Sequence, residues 1–296
     1  PMMRLLQGDV GSGKTIVAAL AMLIAVGSKQ QAALMAPTEL LAEQHFDNLV
    51  SWLEPLGVSV ALLKSKLSAK DRRDVFAGVA EGAVDIIVGT HALFQPDVIY
   101  KHLALVVVDE QQRFGVEQRL SLMKKSSNRN SVPHQLIMTA TPIPRTLAMT
   151  AYGDLDASII DEFPKGRGDI KTIVVPEEKR KQVIEKIVKE CKRGRQSYWV
   201  CPLIEESEEL NFQSAESTYV LLQEKLQQLN IGLVHGKLNS AKKIKAMENF
   251  KHGNTNVLVA TTVIEVGVDV ANASVMVIEN AERLGLTQLH QLRGRI

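Results

Sequence analysis

Gly8-Asp9-Val10-Gly11-Ser12-Gly13-Lys14-Thr15 sits between an apolar stretch at 2–6 and eleven consecutive apolar residues at 16–26. Strand, glycine-rich loop and helix in direct succession point to an α/β sheet. The glycines let the backbone curl until its N–H groups face inward, and the helix that opens at the end of the loop adds its N-terminal field. Such a loop holds an anion, and the order Gly, four residues, Gly-Lys-Thr is that of a phosphate-binding loop. The spacing predicts that Lys14 reaches the outer phosphates of a nucleotide such as ATP and that Thr15 ligates Mg²⁺. The apolar run at 16–26 is far short of the roughly 20 residues needed to span a bilayer, so no transmembrane helix and no membrane partner are expected.

Apolar runs alternate with helical patterns along the rest of the chain, as in βαβ units around buried parallel strands. Strands are predicted at 2–6, 32–36, 59–63, 84–88, 103–108 and 135–139, and a second series at 172–175, 197–200, 232–234, 257–260 and 274–278. Between the two series lies a stretch, 162–171, with Pro164, Gly166 and Gly168 and no apolar period. It divides the 296 residues into a first domain at 1–163, a linker at 164–171 and a second domain at 172–296. A helix at 177–193 places Val183, Ile184, Ile187, Val188 and Cys191 on one face, which leaves its lysines to solvent. A net charge of +2 does not argue for a polyanion by itself, so any nucleic-acid surface must be local. Cys191 and Cys201 fit neither a disulfide framework nor a paired zinc spacing and are read as packing residues.

The strand at 103–108 runs into Asp109 and Glu110. Two adjacent carboxylates at a buried strand end put Asp109 beside the metal and Glu110 within reach of an attacking water. Further segments carry no chemistry singly but occur in a telling order. They are Ala36-Pro37-Thr38-Glu39-Leu40-Leu41-Ala42-Glu43-Gln44-His45, Gly89-Thr90-His91-Ala92-Leu93, Asp109-Glu110-Gln111-Gln112 with Arg113-Phe114-Gly115, Thr139-Ala140-Thr141-Pro142 running to Thr146, His235-Gly236-Lys237-Leu238, Ala260-Thr261-Thr262 running to Val270, and Gln288 to Arg295. Taken singly, each of these threonines is also an ordinary cap or turn residue.

In this order the segments resemble motifs Ia, Ib, II, III, a segment after motif IV, motif V and the start of motif VI of the RecG-type DNA translocases in helicase superfamily two. The resemblance covers essentially the whole chain. It implies two tandem RecA-like domains with mainly parallel sheets, the second incomplete, and ATP with Mg²⁺ held in the cleft between them. Lys14, Glu110 and Arg295 are then catalytic, Thr15 and Asp109 hold the metal, and Gly267 and Asp269 join the loop residues at the nucleotide. Gln112, Thr139 and Thr141 couple that site to DNA, which Pro37, Thr38, Gly89, Thr90, His91, Thr261 and Thr262 grip by its phosphates. The implied activity is an ATP-driven motor that regresses forks and migrates junctions in recombination and repair, acting as a monomer on branched duplex in the bacterial cytoplasm.

Two departures bear on that reading. Gln112 stands where RecG-type chains carry His, and an amide can donate and accept but cannot charge. Lys64-Ser65-Lys66 replaces a segment that usually carries Thr-Gly. Pro1 in place of an initiator Met, and an end just after Arg293-Gly294-Arg295, lead us to expect a piece of a longer polypeptide, with the last arginine of motif VI, a wedge domain and a hook region elsewhere. The motor of a transcription-repair coupling factor, which shares most of these motifs, stays open as an alternative. So does a non-hydrolysing ATP- and DNA-binding remnant.

Overall fold

Strands buried on both faces are apolar along nearly their whole length, with polar residues at their ends, and this is how the interior strands read. β2 (Gln31–Met35), β4 (Ile86–Gly89) and β10 (Val257–Thr261) are buried at every position. The structure, a computed structural model, describes residues 1–64, 67–110, 132–140, 155–162, 170–202, 208–261, 270 and 272–296. The chain divides into two units, Pro1–Lys165 and Gly166–Ile296.

The first unit is a seven-stranded sheet ordered β3-β4-β2-β5-β6-β1-β7. Besides β2 and β4 it contains β1 (Met3–Gly8), β3 (Val60–Leu63), β5 (Leu103–Asp109), β6 (His134–Thr139) and β7 (Asp156–Ile160), and every pairing is parallel. Helices α1 (Lys14–Gly27), α2 (Glu39–Leu53) and α3 (Ala69–Glu81) make the crossovers between its early strands. A core of Met35, Leu63, Ile87, Leu93, Tyr100 and Val106 lies against one face, where each large aliphatic side chain contributes about 1.5–3 kcal/mol by leaving water.

The second unit has four parallel strands ordered β11-β8-β10-β9, with β8 (Gln196–Cys201), β9 (Ile231–Val234) and β11 (Ala273–Ile278) around β10. α4 (Arg180–Lys192), α5 (Glu208–Lys225), α6 (Ser240–Lys251) and α7 (Leu286–Arg293) complete it. Ile184, Ile187 and Cys191 of α4 meet Trp199, Leu222, Val257 and Val259 in its core. Cys191 and Cys201 are free, buried thiols, and burial with the Glu279 carboxylate nearby pushes Cys201 up to about 12.

One polar device recurs in both units. Gln31, buried at the start of β2, donates from Nε2 to the carbonyls of Val79 and Val84, while its Oε1 accepts from the amides of Lys101 and His102. Gln196, at the start of β8, donates in the same way to Phe250 and Thr255 and accepts from Asn272. Each amide satisfies chain ends where helix and strand meet, which a buried polar side chain must do to be tolerated.

Two expectations need correction. Residues 172–175 form no strand: Ile173, Val174 and Val175 are all exposed, and β-branched residues become a strand only with a neighbour to pair with. β7, by contrast, was not foreseen. Asp156 and Ser158 interrupt its apolar pattern because it is an edge strand, with Ile159 65% exposed.

Candidate nucleotide and DNA site

In a parallel sheet all strands end on the same side, and ligands of such sheets lie outside that carboxyl edge. The segments after β1, β2, β4, β5 and β6 therefore gather there: the loop 8–15, Pro37-Thr38, Thr90-His91, Glu110 and Ala140. β1 lies between β6 and β7, with Gly8 in register with Ile160, so the unforeseen edge strand flanks the loop.

The loop leaves β1 and closes with the amide of Ser12 donating to Asp9 O at 3.1 Å. Gly11 and Gly13 take φ of 76° and 94°, the left-handed region that other residues enter only at a cost. Gly13 is the N-cap of α1 and offers no side chain, and the first turn of α1 holds no acid. α2 and α3, by comparison, carry Thr38 and Ser68 as side-chain caps, with Glu39 and Asp71 in their first turns. The positive end of α1 is thus left to an external anion. Lys14 folds its ammonium back over the loop and donates to Gly8 O and Asp9 O, both at 2.8 Å. Ser12 Oγ is buried without a hydrogen-bond partner among the described residues. An orphaned hydroxyl, an uncapped helix start and an ammonium on the loop fit a nucleotide's phosphates.

Asp109 ends β5, buried, and its Oδ2 meets His45 Nε2 at 2.8 Å. His45 was not foreseen as a site residue. The signal was present: α2 buries Leu41, Ala42, Leu49 and Leu53 along one stripe, and His45 lies in that stripe. Glu110 stands at φ 48° with its amide bonded to Met138 O at 3.0 Å. Holding a non-glycine residue there costs about 1–3 kcal/mol and turns the chain abruptly off the strand end. Thr139, fully buried, ends the neighbouring β6. Among the described residues no cluster of His, Cys, Asp and Glu could cage a metal. Mg²⁺ binds through one or two carboxylates plus the phosphates of its substrate, and Asp109 is a carboxylate of that kind. Gln112 and Thr141 lie outside the described residues.

The residues assigned to DNA divide. His91 is exposed and Pro37 half-buried, but Thr38 uses its hydroxyl as the cap of α2, accepting from Leu41 N at 3.4 Å. Thr90 is 5% exposed. Gly89 has a packing reason of its own, because a Cβ there would stand 2.9 Å from Leu63 O and 3.1 Å from the Leu93 side chain. A strand carbonyl cannot step aside, so Gly89→Ala destabilises the chain by about 1–3 kcal/mol. Urea denaturation measures this, and an unchanged midpoint would remove the packing account.

In the second unit Thr261 ends β10 at 2% exposure with its hydroxyl unbonded among the described residues. Thr262, Gly267 and Asp269 lie outside the described residues. Burial holds His235 below the usual imidazole range. Arg295 is half-buried in a turn closed by its amide on Leu292 O. Glu279, just past β11, pairs with Arg180, whose guanidinium stacks 5.4 Å from the Trp199 ring. This last cluster was also absent from the sequence reading.

Comparison with known proteins agrees with this arrangement. A family model for DEAD/DEAH box helicases matches residues 2–150, and one for the helicase conserved C-terminal domain matches 178–296. The ATP-dependent DNA helicase RecG of Escherichia coli strain K12 is 59% identical over 297 residues, covering all of this chain and 43% of that protein. RecG of Bacillus subtilis strain 168 is 53% identical over 296 residues, with the same shares. A solved structure of RecG bound to a three-way DNA junction superposes with a TM-score of 0.78 at 43% identity, covering all of this chain and 38% of that one. The chain therefore spans less than half the length of the curated relatives it matches. Its two parallel α/β units are RecA-like helicase domains; the chain belongs to the DEAD/DEAH box helicase family and is similar along its whole length to the ATP-dependent DNA helicase RecG.

Proposed function

We propose that the chain is the motor part of an ATP-dependent DNA helicase that remodels forked and junction DNA in recombination and repair. The observation that carries this reading is the convergence of the uncapped loop 8–15 and the Asp109-Glu110 strand end on one sheet edge. Similarity to RecG, one of whose structures holds a three-way junction, supports branched duplex as the partner. A transcription-repair coupling motor is the alternative that the same motifs allow, and the similarity to RecG along the whole chain favours the first reading. The protein is read as a monomer of the bacterial cytoplasm; no helix among the described residues is long and apolar enough to cross a membrane.

In this reading Lys14 exchanges its loop carbonyls for the outer phosphate oxygens, and Thr15 and Asp109 hold Mg²⁺. A bound Mg²⁺ held there would supply neutralisation of the charge on the nucleotide's phosphates. Glu110 accepts the proton of the attacking water as the new O–P bond forms and the bridging O–P bond breaks. Arg295, Gly267 and Asp269 are the residues of the second unit to which the motifs give a nucleotide role.

The DNA side makes a prediction of its own. Contacts through loop amides and hydroxyls reach phosphates, not base edges. Forks of two unrelated sequences therefore bind alike, and log affinity falls linearly with log salt. Fluorescence anisotropy with forked and linear oligonucleotides reads both. Preference for one sequence over another, or salt-independent binding, would contradict the phosphate-grip account.

A further inference from the structure

His45 belongs to neither group of residues that the nucleotide and DNA readings require, yet it makes the contact that joins them. It projects from α2, whose first turn is capped by Thr38 of the Pro37-Thr38 segment, and meets Asp109 at the end of β5. Seven residues separate Thr38 from His45, about 10 Å along a rigid helix. Both side chains are enclosed, His45 at 9% and Asp109 at 12% exposure. A carboxylate oxygen accepts, so Nε2 of His45 carries the proton of this bond and Nδ1 is the ring's other polar end. That nitrogen is buried with no partner among the described residues. An aliphatic or aromatic residue would continue the Leu41, Ala42, Leu49 and Leu53 stripe without leaving a buried nitrogen unbonded. Packing therefore does not explain a histidine here, whereas the carboxylate does.

We propose that His45 is a positioning residue: its Nε2–H fixes one oxygen of Asp109 and so presents the other to the Mg²⁺ of the bound nucleotide, tying the metal carboxylate to the helix that begins at the DNA-side segment. This rests on the nucleotide-site reading above and assigns a residue that the motifs leave without a role. Second-layer partners that orient a metal ligand are worth about 10–100-fold in metal affinity when removed. Because α2 is continuous from Thr38 to His45, a displacement of its first turn moves the donor at Asp109.

The test is a Mg²⁺ titration of fluorescent ADP binding to the whole chain, which requires no turnover. His45→Phe keeps the ring volume and removes the donor, and His45→Gln returns an N–H near the position of Nε2. The expected result is a Mg²⁺ midpoint raised about 10–100-fold in the Phe variant and largely restored in the Gln variant. Should circular dichroism show the Phe variant unfolded, His45→Asn, too short to reach Asp109, takes its place with the same expectation. A merely structural role lowers the melting temperature of all variants without moving the Mg²⁺ midpoint. An unmoved midpoint, or a Gln variant as impaired as Phe, overturns the proposal while nucleotide binding stands. Wild-type chain that binds no nucleotide at any Mg²⁺ concentration overturns the nucleotide-site reading and this inference with it.

Discussion

Lys14→Ala lowers ATP turnover by about 10²–10³, the usual loss when one pre-placed donor is removed from a developing oxyanion. The ammonium already lies on the loop, 2.8 Å from Gly8 O and Asp9 O. Alanine leaves the curl intact, because the curl is made by the Ser12–Asp9 turn and by Gly11 and Gly13 rather than by the lysine. The loss is therefore one of binding and charge stabilisation, not of folding. Equilibrium binding of a fluorescent ATP analogue weakens alongside turnover, and an unchanged melting temperature confirms that the fold is untouched. Unaltered affinity and turnover would refute the phosphate-loop assignment.

Glu110→Gln separates chemistry from binding. The amide keeps the size of the side chain and the sharp turn at φ 48°, and it keeps the backbone bond to Met138. It cannot accept the proton of the attacking water, so hydrolysis falls by about 10²–10⁴. ATP affinity survives, since Lys14, Thr15 and Asp109 are unchanged. Single-turnover hydrolysis and equilibrium binding on the same preparation distinguish the two mutants: Lys14→Ala loses both, Glu110→Gln only the first. A Glu110→Gln chain that turned over ATP normally would move the general base elsewhere.

Much of the architecture was legible because parallel strands buried on both faces are apolar along nearly their whole length. Gln31–Met35, Ile86–Gly89 and Val257–Thr261 announce themselves on that ground. The loop was legible because glycine at the left-handed positions 11 and 13 has few substitutes. The pattern failed where a strand is not buried. Asp156–Ile160 pairs on one side only and tolerates Asp156 and Ser158, whereas Thr172 to Val175 has the composition of a strand and no partner. Polar residues that act at long range were hidden for a different reason. Gln31 bridges 70 positions to Lys101, Gln196 reaches Thr255 and His45 crosses 64 positions to Asp109. No local period encodes such pairings. What the sequence does show is a histidine inside an apolar helical stripe and a glutamine opening a buried strand, and both are worth reading as a search for a distant partner. Thr38 illustrates the converse. Its motif suggests a nucleic-acid contact and its hydroxyl also caps α2, accepting from Leu41 N while its own O–H stays able to donate.

The decisive measurement is steady-state ATP hydrolysis by the chain with and without forked DNA, with Glu110→Gln as the blank. The account predicts hydrolysis that rises on adding the fork and is absent from the blank. Hydrolysis that ignores DNA, or that persists in Glu110→Gln, would contradict a motor driven from the loop 8–15 and the Asp109-Glu110 strand end.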